Sequence, residues 1–268
     1  MRKVIIILLL ALASLASRAE HYVGIALSPA ATWQLDTLLD THSLPGMAID
    51  VGVVYHYQFQ SLLLKTGFDM AWCTMRQGLD TMLWGQTQNI IHSRVDAMRH
   101  YEISIPLMIG AKVHDWYAMG GVKLAFSSTS QTEQRAIYAI LQTDDRYYDD
   151  FNEVYKDELV IRSKGSIELN PDLRVRIELG KQFKLVEHQR IINRNPVLHI
   201  GLFAEYSVLG HPLKQYIGKD NVNTSGITLD HIYSQYIGQD PKINHLYAGI
   251  RVTLLFDVGI NDCRCEEY

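Results

Sequence analysis

The chain has 268 residues, 47% of them hydrophobic and 20% charged. Lys and Arg number 25 against 29 acids, a net charge of −4, so no basic field suggests nucleic acid and no strong imbalance suggests a polyionic partner. Cys73, Cys263 and Cys265 are the only cysteines, an odd count that excludes a fully paired intramolecular disulfide framework.

Arg2 and Lys3 precede the apolar run 4–10, and residues 11–19 are rich in small side chains. This pattern predicts a signal peptide over residues 1–19, cut after Ala19 or Ala16. The run is too short to cross about 30 Å of hydrocarbon. The leader holds three basic residues (Arg2, Lys3 and Arg18) and no acid, so its removal takes 25 basic residues to 22 against 29 acids, a net charge of −7. No later run is long enough for a transmembrane helix. A membrane location therefore requires a closed barrel, because lipid cannot satisfy an open sheet edge.

The mature chain reads as eight strands of period two. The first is 22–28, with Val23, Ile25 and Leu27 on one face. A link at 29–46 leads to an alternating hairpin. In its first arm, 47–59, Met47, Ile49, Val51, Val53, Tyr55, Tyr57 and Phe59 oppose Ala48, Asp50, Gly52, Val54, His56 and Gln58. After a tight turn at Gln60-Ser61, Leu62, Leu64, Phe68, Met70 and Trp72 oppose Leu63, Lys65, Gly67, Asp69, Ala71 and Cys73. Such alternation is the signature of a two-faced strand.

Residues 75–99 read as a polar link with room for a short helix. Strand four, 101–113, carries Pro106, which removes a ladder donor and marks a candidate bulge. His114-Asp115 turns into strand five, 116–126. The acidic, tyrosine-rich stretch 127–165 reads as a solvated loop with a candidate recognition surface. Its clustered acids do not match a calcium loop. Strand six lies within 166–183, strand seven is 197–208, and strand eight is 246–258, preceded by a long loop at 209–244. Residues 259–268 form a polar tail, where Cys263 and Cys265 make a poor zinc site without further ligands.

Eight alternating strands fit two opposite designs. A lipocalin-like soluble barrel buries its apolar face and holds a ligand there; an outer-membrane barrel turns that face to lipid. Glycine placement favours the second. Gly24, Gly52, Gly67, Gly110, Gly121, Gly180, Gly201 and Gly249 all fall on the polar face, one per strand, where a narrow bore needs space beside long side chains. The same face carries Lys65, Lys112, Lys123, Arg174, Arg176 and Arg251 against Asp50, Asp69, Glu102, Glu178 and Glu205. These can pair, as buried charges require. With His56 they form the expected interior polar network. The three long links fall at one end and both termini at the other, matching long external loops and short periplasmic turns. Tyr57, Phe59, Trp72, Tyr101, Trp116, Phe126, Tyr206 and Phe256 near strand ends suit interfacial girdles. The expectation is an all-β, eight-stranded antiparallel up-and-down transmembrane barrel over 20–258.

The segment Tyr101-Glu102-Ile103-Ser104-Ile105-Pro106-Leu107-Met108-Ile109, its Gly-containing partner 116–124 and the closing strand 246–256 resemble the small outer-membrane barrel proteins of Bacteroidetes, the PorT-like group. A departure is the polar tail after Phe256. The resemblance implies the barrel, the outer membrane and insertion by the barrel-assembly machinery. It carries over no catalytic residue.

No G-x-S-x-G, phosphate-cradling glycine loop or H-E-x-x-H occurs. No cofactor or metal is called for. His56 and His199 read as hydrogen-bonded interior histidines, and His100 and His211 as the residues a rim hydrolase would draw on. The expected partners are outer-membrane lipid, the assembly machinery and proteins at the external loops. The functional expectation is a structural, adhesive or secretion-accessory barrel. A small outer-membrane lipid or peptide hydrolase or acyltransferase, and a periplasmic ligand-binding barrel, are the alternatives.

Overall fold

The computed structural model describes residues 20–35, 41–79, 82–84, 89–128, 130–139, 147–149, 154–156, 158–185, 196–209, 211–221 and 242–258. The expected leader 1–19 and the expected tail with Cys263 and Cys265 lie outside them.

Eight strands close into a ring: β1 (Glu20–Leu35), β3 (Gly46–Phe59), β4 (Leu62–Leu79), β6 (Asn89–Val113), β7 (Trp116–Ser127), β12 (Asp172–Lys184), β13 (Val197–Ser207) and β15 (Lys242–Asp257). Each pairs antiparallel with its neighbour in that order, and β15 pairs with β1 to shut the barrel. Three more strands, β8 (Ser130–Ala139), β11 (Glu158–Leu169) and β14 (His211–Asn221), extend the same sheet. The short β2 (Thr41–Leu44) pairs β4, and β5 (Met82–Trp84) pairs β6. The short β9 (Tyr147–Asp149) and β10 (Val154–Lys156) pair with each other.

Two of the links at the end where β1 starts and β15 finishes are two-residue hairpins. Phe59 pairs Leu62 across Gln60-Ser61, and Val113 pairs Trp116 across His114-Asp115. Gln60 and His114 take φ of 53° and 56°, the left-handed conformation that tight hairpins demand. Pro106 makes no bulge, contrary to the expectation. The β4–β6 register is the same on both sides of it, Thr66 with Leu107 and Asp69 with Ser104. The missing donor interrupts the ladder without shifting it.

The other end differs most from the sequence reading. β1 runs to Leu35 instead of Ser28. The expected polar link 75–99 is the top of a long hairpin, with Thr74 facing Arg99 and Leu79 facing Arg94; no helix occurs among the described residues. Much of 127–165 and 209–244 is strand as well. β7 ends at Ser127 and β8 starts at Ser130, β11 leads into β12 across Asn170-Pro171, and β13 ends at Ser207 with β14 starting at His211. The register carries through: Glu102 pairs Ser127, and Arg99 pairs Gln131. The barrel thus continues upward as a crown of strands.

Burial alternates along the lower ring with period two, and its sense is inverted relative to a soluble barrel. Ile25, Leu107, Ile177 and Leu202 are exposed on the outside, Leu202 at 66%, whereas Arg174, Arg176 and Arg251 inside are at 1% or less. The outward apolar run is 62–72 on β4 and 101–113 on β6; it ends at Thr74, Arg76 and Arg99. At 11 and 13 residues it spans the 9–11 residues that a tilted membrane strand needs. Above it the outward face is polar, with Arg99 and Glu133 forming an exposed ion pair at 3.6 Å. The upper ends of β7 and β13 and the start of β12 lie near this same level. Aromatics flank the belt: Trp72 faces Tyr101 across β4 and β6 at its upper edge, with Phe126 and Tyr206, and Trp116, Phe183 and Phe256 lie toward the lower edge.

Candidate functional site

The lumen is the candidate site, because it collects nearly every charged residue that the belt excludes. Asp50 comes from β3, Lys65 and Asp69 from β4, and Glu102 from β6. Lys123 comes from β7, Arg174, Arg176 and Glu178 from β12, Glu205 from β13 and Arg251 from β15; all are buried. Each sits on the inward set of a strand whose alternate residues form the belt. Lys112 departs from the expected network. It lies one row from the His114-Asp115 turn, half-buried at the rim, where the bore opens to solvent.

Ion pairs cross the bore at successive heights. Lys65 Nζ donates to Glu178 Oε2 at 2.7 Å, Lys123 Nζ to Asp50 Oδ2 at 3.0 Å, and Arg251 to both Asp69 oxygens at 3.1 Å. Each of these pairs joins strands three places apart on the eight-strand ring, one short of diametric. Arg251 also reaches Ser28 Oγ at 3.3 Å. Arg174 is the hub. It donates to Glu102 through both Nη atoms, to Asp172 Oδ2 at 2.9 Å and to Glu205 Oε1 at 3.1 Å. Its guanidinium also lies 4.5 Å from the centroid of the Tyr247 ring. Arg176 bonds Glu205 Oε2 at 3.2 Å and sits 4.0 Å above Phe203. Such multiple pairing is what lets charge remain in a bore shielded from water. Sequence reading missed Asp172, which accepts from Arg174 and from the Ser207 hydroxyl at 2.8 Å; it assigned faces in strand six only from Leu173 onward. It also missed Arg94 and Asp96 in the crown, paired at 2.7 Å.

The eight polar-face glycines are packing devices. An added Cβ at each would meet another atom at 2.6 Å or closer. The clearest case is Gly180 opposite Gly201 on β12 and β13. The Tyr117 ring lies across both, with its Cζ 2.6 Å from the Cβ position of Gly180 and its hydroxyl 2.6 Å from that of Gly201. From there the hydroxyl donates to Glu178 Oε1 at 3.0 Å.

His56 and His199 are interior, as expected, but they meet each other edge to face at 5.3 Å, and Tyr117 stacks on His199 at 4.8 Å. His56 Nε2 and His199 Nδ1 make no hydrogen bond to the described residues, so ring contacts take the place of the expected bonds. His100 is not a rim residue. β6 starts at Asn89, twelve residues before the expected strand, which carries His100 into the bore 3.8 Å from Glu102. Cys73 faces it across β4 and β6. One donor atom each from Cys73, His100 and Glu102 lies within 4.8 Å of the other two. His211 opens β14, paired with Ile243, in a different element from His100. On the outside, the small residues Ala118, Gly120 and Ala204 leave a shallow apolar groove beside Ile177, Leu179 and Leu202.

No family model matches the chain, and no curated protein matches it. Among solved structures, it is similar to Ail, the attachment invasion locus protein of Yersinia pestis, at 10% identity over 87% of this chain and 99% of that one, with a TM-score of 0.30. Neisserial surface protein A gives 10% identity, 87% and 97% coverage and a TM-score of 0.30. The outer membrane protease OmpT of Escherichia coli gives 7%, 89% and 96%, and 0.32. These overlays are loose, and the ring is defined by the chain's own strand pairing.

Proposed function

We propose that the chain is exported by its leader, inserted in the outer membrane by the barrel-assembly machinery, and serves there as a closed scaffold. Its crown would meet protein partners outside the membrane in a structural, adhesive or secretion-accessory role, as the resemblance to the PorT-like group of Bacteroidetes suggests. The observation that carries this reading is the inverted burial. An apolar belt of membrane-strand height surrounds a charged interior, and a closed ring has no unpaired edge for lipid to meet. A lipocalin-like role fits poorly, because charged side chains fill the space an apolar ligand would need. A rim hydrolase also fits poorly, since His100 faces Glu102 inside the bore. The test is membrane fractionation. The protein is expected to stay with membranes in alkaline carbonate and to run faster on a gel before boiling than after. Release by carbonate together with a single unshifted band would overturn the proposal.

A further inference from the structure

We propose that Cys73, His100 and Glu102 form a zinc site inside the barrel, at the level where the apolar belt gives way to the crown. The backbone register assembles it. Cys73 is directly opposite His100, and Glu102, opposite Ala71, is the next inward residue on β6. Directly opposed residues hold their Cβ atoms about 4.5–5.5 Å apart, so three donors converge from adjacent inward positions of one hairpin.

Thiolate, imidazole and carboxylate are the three ligand types zinc takes from proteins, with bonds of about 2.0–2.3 Å. Around a tetrahedral centre with such bonds, neighbouring donors stand about 3.3–3.8 Å apart. His100 Nε2 and Glu102 Oε2 are already at 3.8 Å, and no donor pair exceeds 4.8 Å. Side-chain rotations of about an ångström would close the set, since bond lengths fix the target so narrowly.

The surroundings supply support and the right charge. Glu102 is fixed by Arg174, which Asp172 and Glu205 hold in turn, the outer-shell arrangement that orients metal ligands. Ala48, Met75, Met98 and Tyr247 pack around Cys73 as an apolar shell. Among the described residues, the buried charged groups are six cations (Lys65, Arg94, Lys123, Arg174, Arg176 and Arg251) and seven carboxylates (Asp50, Asp69, Asp96, Glu102, Asp172, Glu178 and Glu205). Zinc binding ionises Cys73: the S–H bond breaks, the Zn–S bond forms and the proton leaves to solvent. That makes eight anions against six cations, and a doubly charged ion restores neutrality. A monovalent ion would leave one negative charge over. Three protein ligands leave a fourth position for water.

The experiment uses the full mature chain with Cys263→Ser and Cys265→Ser, so that Cys73 is the sole thiol. Cobalt(II) serves as the coloured probe and zinc as its competitor. The expected result is one cobalt per chain, an intense thiolate-to-cobalt band, four-coordinate visible bands, and displacement of cobalt by equimolar zinc. His100→Gln should weaken binding at least tenfold, and Cys73→Ser should abolish the thiolate band, in protein whose gel mobility still shifts on boiling. The band in the single-thiol protein identifies Cys73 even if a variant fails to fold. Absence of stoichiometric cobalt, a six-coordinate spectrum with no thiolate band, or equal binding in folded His100→Gln protein would overturn the site.

Discussion

At the residue scale, the lumen is governed by space and charge together. Tyr117 reaches Glu178 only because two facing glycines leave room for its ring. Gly201→Ala would place a methyl 2.6 Å from the Tyr117 hydroxyl, and overpacking of this kind costs about 1–3 kcal/mol. The obstructing atom is the hydroxyl itself, so Tyr117→Phe should recover part of the loss in Gly201→Ala. It should recover little in Gly180→Ala, where the Ile200 carbonyl oxygen and the Gly201 Cα also stand at 2.5 and 2.6 Å. Urea unfolding in detergent micelles of the two glycine variants, Tyr117→Phe and the two double variants measures this. No rescue of Gly201→Ala by Tyr117→Phe would show that the Tyr117 hydroxyl is not what Gly201 accommodates. The glycine pattern was legible in the sequence because an alternating strand assigns each residue a face. The neighbour that requires each glycine was not, since Tyr117, Gly180 and Gly201 meet only through the pairing of β7, β12 and β13.

At the element scale, legibility follows the solvent on the two sides of each strand. Inside the belt one side is apolar and the other charged, so hydropathy alternates and all eight ring strands can be read. In the crown both sides carry polar residues. In β8, Ser130 and Thr132 are buried while Gln131 and Arg135 are exposed, so the strand persists while its hydropathy signal fades. For that reason the tops of β4 and β6 and much of 127–165 and 209–244 read as links. His100 and Cys73 straddle this boundary, and the first was lost with the unread part of β6. The belt makes its own prediction. Leu107, in the middle of the outward run of β6, and Val113, beside the lower turn, are both exposed, at 64% and 65%. In lipid vesicles, Leu107→Arg should cost about 2–4 kcal/mol and Val113→Arg about 0–1, because the penalty for charge depends on depth in the bilayer. Urea titration in vesicles reads the difference. Two equally mild substitutions would mean that lipid does not face this surface.

At the scale of the whole molecule, the chain has the outline of a pore and the interior of a solid. Eight strands enclose a bore that side chains can fill. Here Arg174, Arg176, Arg251, Lys65 and Lys123 are among the largest fully buried side chains, and their ion pairs span the ring. Lys65–Glu178, Lys123–Asp50 and Arg251–Asp69 each tie nearly opposite walls, so a continuous water column would have to break them. Breaking a buried pair leaves an uncompensated charge and costs about 3–5 kcal/mol, well beyond thermal energy, so spontaneous opening should be rare. The reconstituted protein should therefore give no regular conductance steps in planar bilayers. Removing opposite partners together, as in Lys65→Ala with Glu178→Ala, takes away one of the three cross-ties and leaves neither member of that pair unpaired. That double variant should conduct more than either single variant, which keeps one unpaired charge in the bore. Regular steps from the unmodified protein would show that the pairs do not seal it, and the closed-scaffold reading would fall with them.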